Sequence, residues 1–126
     1  MKKINYELYR NNNSENNGYG KVYARVKLGQ TVGLKELCVR LAQRNKLVTE
    51  ATAMMVLTDV IDVITDLLAE GNRVKLDDLC ILSLALESSG AESEAAFDAR
   101  RHIKGVKLNV RSTGGLRRRM SEMFTK

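Results

Sequence analysis

The chain has 126 residues, 44% of them hydrophobic, and a net charge of +6. This length and hydrophobic content suffice for one modest hydrophobic core but not for two separate ones. No apolar run approaches the roughly 20 residues that a membrane span requires, and the first residues lack the apolar centre of a signal peptide, so we expect a single-domain cytoplasmic protein. Cys38 and Cys80 lie among apolar neighbours and are expected to be buried and reduced rather than joined in a disulfide.

The charges are segregated along the chain. Residues 1–48 carry ten Lys/Arg against three Asp/Glu, and residues 100–126 carry nine against one. Between them, residues 49–75 carry two against five, and residues 76–99 carry none against six. Two basic segments flanking an acidic middle favour a polyanionic partner, although solvation alone explains any single surface Lys or Arg.

A β-hairpin is predicted at the N-terminus. Apolar and polar residues alternate with the period of a half-buried strand over residues 3–9 and 21–28, and the polar segment 11–20 between them predicts a long, mobile loop. The polar face of the second strand carries Lys21, Tyr23, Arg25 and Lys27. Arg25 and Lys27 are candidate contacts to a phosphate backbone, with plain solvation as the alternative.

Two helices follow. Apolar residues within 34–42 recur at the spacing of one buried helical stripe. Thr49 is predicted to cap a second helix, because its hydroxyl can accept from a free amide of the first turn, and Glu50 suits the positive end of that helix dipole. Gly71 is predicted to end this helix, since glycine readily adopts the left-handed conformation of a C-terminal cap.

The second helix carries two apolar stripes. One contains Ala53, Val56, Val60, Val63 and Leu67, and the other contains Met54, Leu57, Ile61, Ile64 and Leu68. Two stripes require two partners, and the first helix can cover only one of them. We expect a second copy of the chain to cover the other, with coverage by the sheet of the same chain as the alternative.

The C-terminal half predicts a three-stranded sheet and a last helix. Alternation over residues 73–76, 82–87 and 106–111 predicts a short strand and two long ones, with a turn or bulge at Asp77 and Asp78 and a connection over 88–102. Ser112 or Thr113 is predicted to cap the last helix. In that helix Leu116, Met120, Met123 and Phe124 are expected to face the core, and Arg117, Arg118 and Arg119 the solvent.

This order of elements, with the patterns LxELxxxLA, GxRVKLDDL and VKLNVRSTGGLR, resembles the bacterial HU and integration host factor family. The additional N-terminal hairpin is similar to that of longer HU-like proteins known from Bacteroidetes. The resemblance implies an α+β fold in an intertwined homodimer: two helices, a sheet with a long hairpin and a short C-terminal helix. Residues 1–30 would be the hairpin extension and residues 31–126 the HU-like core.

The resemblance also implies a histone-like protein of the nucleoid, which binds double-stranded DNA largely independently of sequence. Family members contact the minor groove through basic arms and bend the duplex with an apolar wedge at each arm tip. The candidate DNA-binding residues are Arg25, Lys27, Arg101, Lys104, Lys107, Arg111, Gly114, Arg117 and Arg118. Helix amides near Gly114 and Gly115 are expected to form a phosphate clamp with the neighbouring arginines, although a strand-to-helix turn also explains glycine there.

The chain departs from the family pattern at the predicted arm. It contains no proline, so the usual wedge is absent, and the connection at the tip carries Glu92, Glu94 and Asp98. Phe97 is a candidate wedge, with burial against the sheet as the favoured alternative. These departures leave open a second function, a dimeric HU-like scaffold that no longer bends DNA and instead binds a protein partner.

Catalysis is not expected from this sequence. His102 is the only histidine, no metal-ligand spacing occurs, and adjacent Asp77 and Asp78 would point to opposite faces of a strand. We therefore expect no cofactor, no metal and no small-molecule substrate.

Overall fold

The structure, a computed structural model, describes residues 3–121 and 123. Within this range the fold is mixed α+β, with four helices and two antiparallel sheets of strand order β1-β2 and β3-β4-β5. The strands are β1 (Tyr6–Arg10), β2 (Val22–Val26), β3 (Val74–Leu76), β4 (Cys80–Ser88) and β5 (Ile103–Ser112), and the helices are α1 (Leu34–Arg44), α2 (Glu50–Ala69), α3 (Ala99–His102) and α4 (Gly114–Met120). The predicted order of elements is confirmed, and the core position predicted for Phe124 lies outside the described residues.

The N-terminal hairpin forms as predicted but buries neither face within the chain. β1 pairs with β2 from Tyr6 opposite Val26 to Arg10 opposite Val22. Leu8 is 65% exposed and Val26 is 56% exposed, so the prediction of half-buried strands is wrong for the single chain. The segment predicted as a mobile loop is a series of hydrogen-bonded turns, in which Asn side chains accept from backbone amides two residues ahead.

The two caps predicted for α2 are both present. The hydroxyl of Thr49 accepts a hydrogen bond from the Thr52 amide at 3.1 Å, which satisfies one free donor of the first turn of α2. At the other end Gly71 has φ +93, and the Asn72 amide donates back to the Leu67 carbonyl at 3.1 Å. This geometry is a left-handed cap that glycine adopts without steric cost.

The three-stranded sheet contains one short and two long strands. A tight turn at Asp77 and Asp78 joins β3 to β4, closed by the Leu79 amide donating to the Leu76 carbonyl at 2.7 Å. β4 and β5 then pair along their full lengths, from Cys80 opposite Ser112 to Ser88 opposite Ile103, with an irregularity at Glu87/Ser88. The predicted connection after β4 ends in the single-turn helix α3. We call β4, β5 and the segment 89–102 between them the arm.

The hydrophobic core of one chain is very small. Among the described residues the buried apolar side chains are Cys38, Ala53, Leu68 and Cys80, and both cysteines are free thiols, as predicted. The accessible surface is 10942 Å², whereas a compact monomer of 14.1 kDa exposes about 6,700 Å². Much surface that a compact protein buries is therefore open in the single chain.

The two stripes of α2 differ in how well they are covered. On the second stripe Leu68 is buried and Met54, Leu57 and Ile64 are half-buried, whereas Ile61 is exposed. On the first stripe, four of the five residues are exposed: Val56, Val60, Val63 and Leu67. The sheet touches α2 through β3 and β4, but it leaves Val63 57% exposed. The sheet of the same chain, which was the alternative to a second copy, therefore covers the first stripe only in part.

Candidate nucleic-acid interface

The three-stranded sheet has one basic face and one apolar face. Directly paired residues share a face, and the register pairs Ile81 with both Lys75 and Arg111, and Ala85 with Lys107. A groove on this side runs between Arg73 and Arg111, and Ile81, Ser83 and Asn109 line it. We define the basic face as Arg73, Lys75, Lys107, Asn109 and Arg111. The alternate residues of β4 and β5 form the apolar face, which includes exposed Leu84, Leu86, Val106, Leu108 and Val110.

The cations of the basic face are exposed and unpaired. Within the described residues the side-chain ion pairs are Arg25 with Glu7 and Arg40 with Glu36, and neither belongs to the basic face. Glu87, opposite Gly105, is an acidic residue of the same face and lies at its outer end, beside the arm tip. The uncompensated charge is therefore concentrated near the base of the arm, where an anion can approach it through solvent.

The structure groups only some of the nine predicted residues. Lys107 and Arg111 lie four residues apart on the basic face. The others are spread over four places: Arg101 in α3, Lys104 at the irregular outer end of β5, Gly114, Arg117 and Arg118 in α4, and Arg25 and Lys27 on the separate N-terminal hairpin.

Arg73 and Lys75 also belong to the basic face, and the sequence reasoning did not assign them to the site. Their alternation with Val74 and Leu76 was a visible signal that these two side chains share a face. What the alternation could not supply was the pairing of β3 with β4 and of β4 with β5. This pairing places Lys75 on the same face as Arg111, across β4, and Arg73 in the same groove as Arg111.

The N-terminus of α4 differs from the predicted phosphate clamp. Thr113, not Ser112, caps the helix, with its hydroxyl accepting from the Leu116 amide at 3.4 Å. A Cβ at Gly115 would collide with the carboxylate of Asp78, so the missing side chain at this position accommodates Asp78. A carboxylate beside the positive end of a helix is electrostatically favourable, and it disfavours a phosphate in the same place. Gly114 has open space beside it, and its role stays a prediction.

The arm tip is acidic and carries a small aromatic stack. The rings of Phe97 and His102 lie 5.1 Å apart between centroids at an interplanar angle of 23°. Phe97 is 44% exposed, so its expected burial against the sheet is wrong. Asp98 caps α3 by accepting from the Arg100 amide at 3.1 Å, and its own amide donates to Nδ1 of His102 at 2.9 Å. The tip therefore contains local hydrogen bonds and a ring stack, and it presents an exposed Phe97 ring together with exposed Glu92 and Glu94.

The part of the chain that the structure describes contains no group of three or more His, Cys, Asp or Glu side chains arranged to hold a metal ion. None of its helices combines the length and apolar character needed to cross a lipid bilayer.

Comparison with known proteins adds a family and a fold. The model of the HU-HIG family, described as an HU domain fused to a wHTH, Ig or glycine-rich motif, matches residues 1–126. The chain is also similar to a crystal structure from Bacteroides vulgatus ATCC 8482 of a protein provisionally described as a bacterial DNA-binding protein, with a TM-score of 0.70 and 14% identity. That similarity covers 97% of this chain and 47% of the other, so this chain spans about half of that protein's length. None of the curated proteins compared with the chain matches it.

Proposed function

The chain belongs to the HU-HIG family, and from this membership and the basic face we propose that it binds double-stranded DNA as a homodimer, largely independently of base sequence. The family and the described function of the Bacteroides vulgatus protein both point to DNA binding rather than to catalysis. In this proposal the whole chain is one DNA-binding domain, in which residues 1–30 extend an HU-like core, and it acts in the cytoplasm as a component of the nucleoid.

The basic face is the observation that carries the proposal. It places Arg73, Lys75, Lys107 and Arg111 on one surface of the three-stranded sheet, and none of the four forms an ion pair within the described residues. Contacts of Lys and Arg to phosphate contribute most of the affinity in sequence-independent binding, because they release condensed counterions. Asn109 and Ser83 line the same groove as Arg73 and Arg111 and add hydrogen-bonding groups that suit phosphate oxygens.

We propose that the remaining predicted residues extend this surface in two directions. Arg101 and Lys104 lie toward the arm tip, and Arg117 and Arg118 project from α4 after the end of β5. We propose that these four contact the backbone on either side of the basic face. We propose that Arg25 and Lys27 also contact phosphates, from the N-terminal hairpin.

The homodimer is proposed from the exposed apolar surface. The uncovered stripe of α2 is continuous with β3, since Val56, Val60, Val63 and Leu76 line one apolar groove. The excess over a compact monomer is about 4,000 Å² per chain, or about 8,000 Å² for two chains, which more than suffices for the roughly 2,000–5,000 Å² that obligate dimers bury in total. A second copy packed against α2 and the apolar face of the sheet would complete the core that one chain lacks.

Binding of the purified protein to a fluorescent duplex of about 30 base pairs at several salt concentrations tests this proposal. The four cations of the basic face become eight in a dimer, and if each contacts one phosphate, log K falls against log salt with a slope of about −7. A steep slope with little difference between unrelated sequences supports the proposal. Absence of binding at low salt contradicts it.

Charge reversal at Arg111 tests whether the basic face is the surface that contacts duplex DNA. Arg111→Glu is expected to weaken binding to all duplex sequences about equally, because contacts to phosphate carry no sequence information. Lys46→Glu is the matched control, since it makes the same change in net charge in the turn between α1 and α2, outside the sheet. Equal weakening by both variants would show that only net charge matters, and a loss confined to one sequence would contradict backbone binding.

A protein-interaction scaffold is the second candidate function, favoured by the arm tip. Glu92 and Glu94 are exposed there beside Phe97, and their charges repel phosphates. If no duplex binds at low salt while the protein is dimeric, this function replaces DNA binding.

A further inference from the structure

The tyrosines of this protein are confined to one small region. All four of them, Tyr6, Tyr9, Tyr19 and Tyr23, lie within the N-terminal hairpin or its loop. Each is exposed, and Tyr19 is 60% exposed. Exposed aromatic rings placed among basic residues on a small sheet are a common arrangement for stacking against unpaired bases.

Two of these rings share a face with a stacked arginine. Tyr9 pairs directly with Tyr23 across the strands, and the ring centroids lie 5.9 Å apart at 32°. The guanidinium of Arg25 lies over the Tyr9 ring, 4.8 Å from its centroid. Lys21 and Lys27 lie at the two ends of the same face by strand alternation, and both are exposed. We define Tyr9, Tyr23 and Arg25 as the aromatic platform.

From this geometry we propose that the aromatic platform binds single-stranded nucleic acid, with unpaired bases stacking on the tyrosines and phosphates held by Arg25, Lys21 and Lys27. Stacking of this kind tolerates any sequence, because every base has a π-face. In a duplex the base faces are already covered by their neighbours, so a duplex can use only the basic residues of this surface and not its tyrosine rings. The proposal goes beyond duplex binding by the three-stranded sheet and does not depend on it.

Contacts within the hairpin hold Tyr23 and the loop in place and leave Arg25 accessible to a ligand. The hydroxyl of Tyr23 packs so closely against the buried backbone of Gly18 that a side chain there would collide with it, which holds the ring in place. The side chain of Arg10 donates to the Gly20 carbonyl at 2.5 Å and ties the loop to β1. Arg25 bonds to Glu7 at 2.8 Å, but the Arg25 side chain is 60% exposed and that of Glu7 is 42% exposed, so solvent screens this pair and a phosphate can compete for the arginine.

The natural tyrosine emission of the full chain provides a direct test. The protein contains no tryptophan, so all of its tyrosine fluorescence originates from residues 6–23. The chain is titrated with an oligothymidine of about 12 nucleotides, a length within the usual site size of such surfaces, and with an abasic strand of equal length. We expect saturable quenching by the oligothymidine and much weaker quenching by the abasic strand. Equal quenching by both, or none by either, overturns the proposal.

Paired variants separate base stacking from packing within the hairpin. Tyr9→Leu with Tyr23→Leu removes both rings and is expected to lower affinity for labelled oligothymidine at least about fivefold. Tyr9→Phe with Tyr23→Phe keeps both rings and is expected to retain most of the affinity. Unchanged binding by the leucine pair would show that the rings only stabilise the hairpin, and the quenching test still applies if that pair misfolds.

A third variant distinguishes this proposal from duplex binding. Arg111→Glu is expected to weaken duplex binding while the oligothymidine still quenches tyrosine emission. Parallel loss of both activities would assign single-stranded binding to the basic face and overturn the platform. If the unmodified protein binds no duplex, quenching by the oligothymidine still supports the platform on its own.

Discussion

Val63→Asp tests whether the open stripe of α2 is a dimer interface. In the single chain Val63 is 57% exposed, so a monomer would accommodate the carboxylate with a change in unfolding free energy within about 0.5 kcal/mol. In a symmetric dimer the substitution places two carboxylates in an apolar interface. Even at a modest cost of about 2 kcal/mol each, the sum of about 4 kcal/mol raises the dimer dissociation constant roughly a thousandfold.

The assay is sedimentation equilibrium at micromolar concentration. The unmodified chain is expected to sediment at twice its mass of 14.1 kDa, and Val63→Asp at the monomer mass or as an unfolded chain. Thr58→Asp adds the same charge on the opposite side of α2, where the helix is exposed, and is expected to remain dimeric. A monomeric unmodified protein, or a Val63→Asp variant that dimerises like Thr58→Asp, refutes the reasoning.

Three further variants test single contacts. Gly115→Ala is expected to destabilise the fold by up to about 1 kcal/mol, because the exposed Asp78 side chain must move away from the new methyl group. Urea unfolding at fixed protein concentration measures this change. A second substitution, Asp78→Ala, should restore most of the loss, and no rescue would place the strain elsewhere. Thr113→Ala removes the cap of α4 and is expected to lower the free energy of unfolding by about 1 kcal/mol in the same assay. Ser112→Ala should lower it clearly less, and equal losses would contradict the assignment of the cap. Lys75→Gln is expected to make the slope of log K against log salt shallower by about 2 for duplex binding by a dimer, because one phosphate contact is lost in each copy. An unchanged slope would show that Lys75 does not contact DNA.

The sequence by itself determined the order of the main elements and the caps of α2, but neither the short helix α3 nor the full lengths of β4 and β5. Helical and strand periods depend on which residues of an element face an apolar surface, and this pattern is visible without knowing what covers the surface. The caps at Thr49 and Gly71 were predictable for a related reason, since each acts on backbone groups within a few residues of itself. The family resemblance likewise rested on the order of elements and on short local patterns.

The candidate site was predictable only in part. Lys107 and Arg111 were identified from their own strand, but Arg73 and Lys75 join them only through the pairing of β3 with β4 and of β4 with β5. A one-residue change of register would move either pair to the opposite face. The pairing depends on contacts between residues far apart in sequence, which no local pattern records.

Only the tertiary structure decided which apolar surfaces remain exposed and which residues far apart in sequence come into contact. Alternation in β1 and β2 predicted an inner face, yet nothing in the chain covers Leu8 or Val26 among the described residues. The same structure brings Asp78 against Gly115, 37 positions later in the chain, and turns a glycine that suggested a phosphate site into part of an internal contact. Burial and close approach are properties of the assembled surfaces, because they depend on which distant segments come together, whereas period and capping are properties of each segment alone.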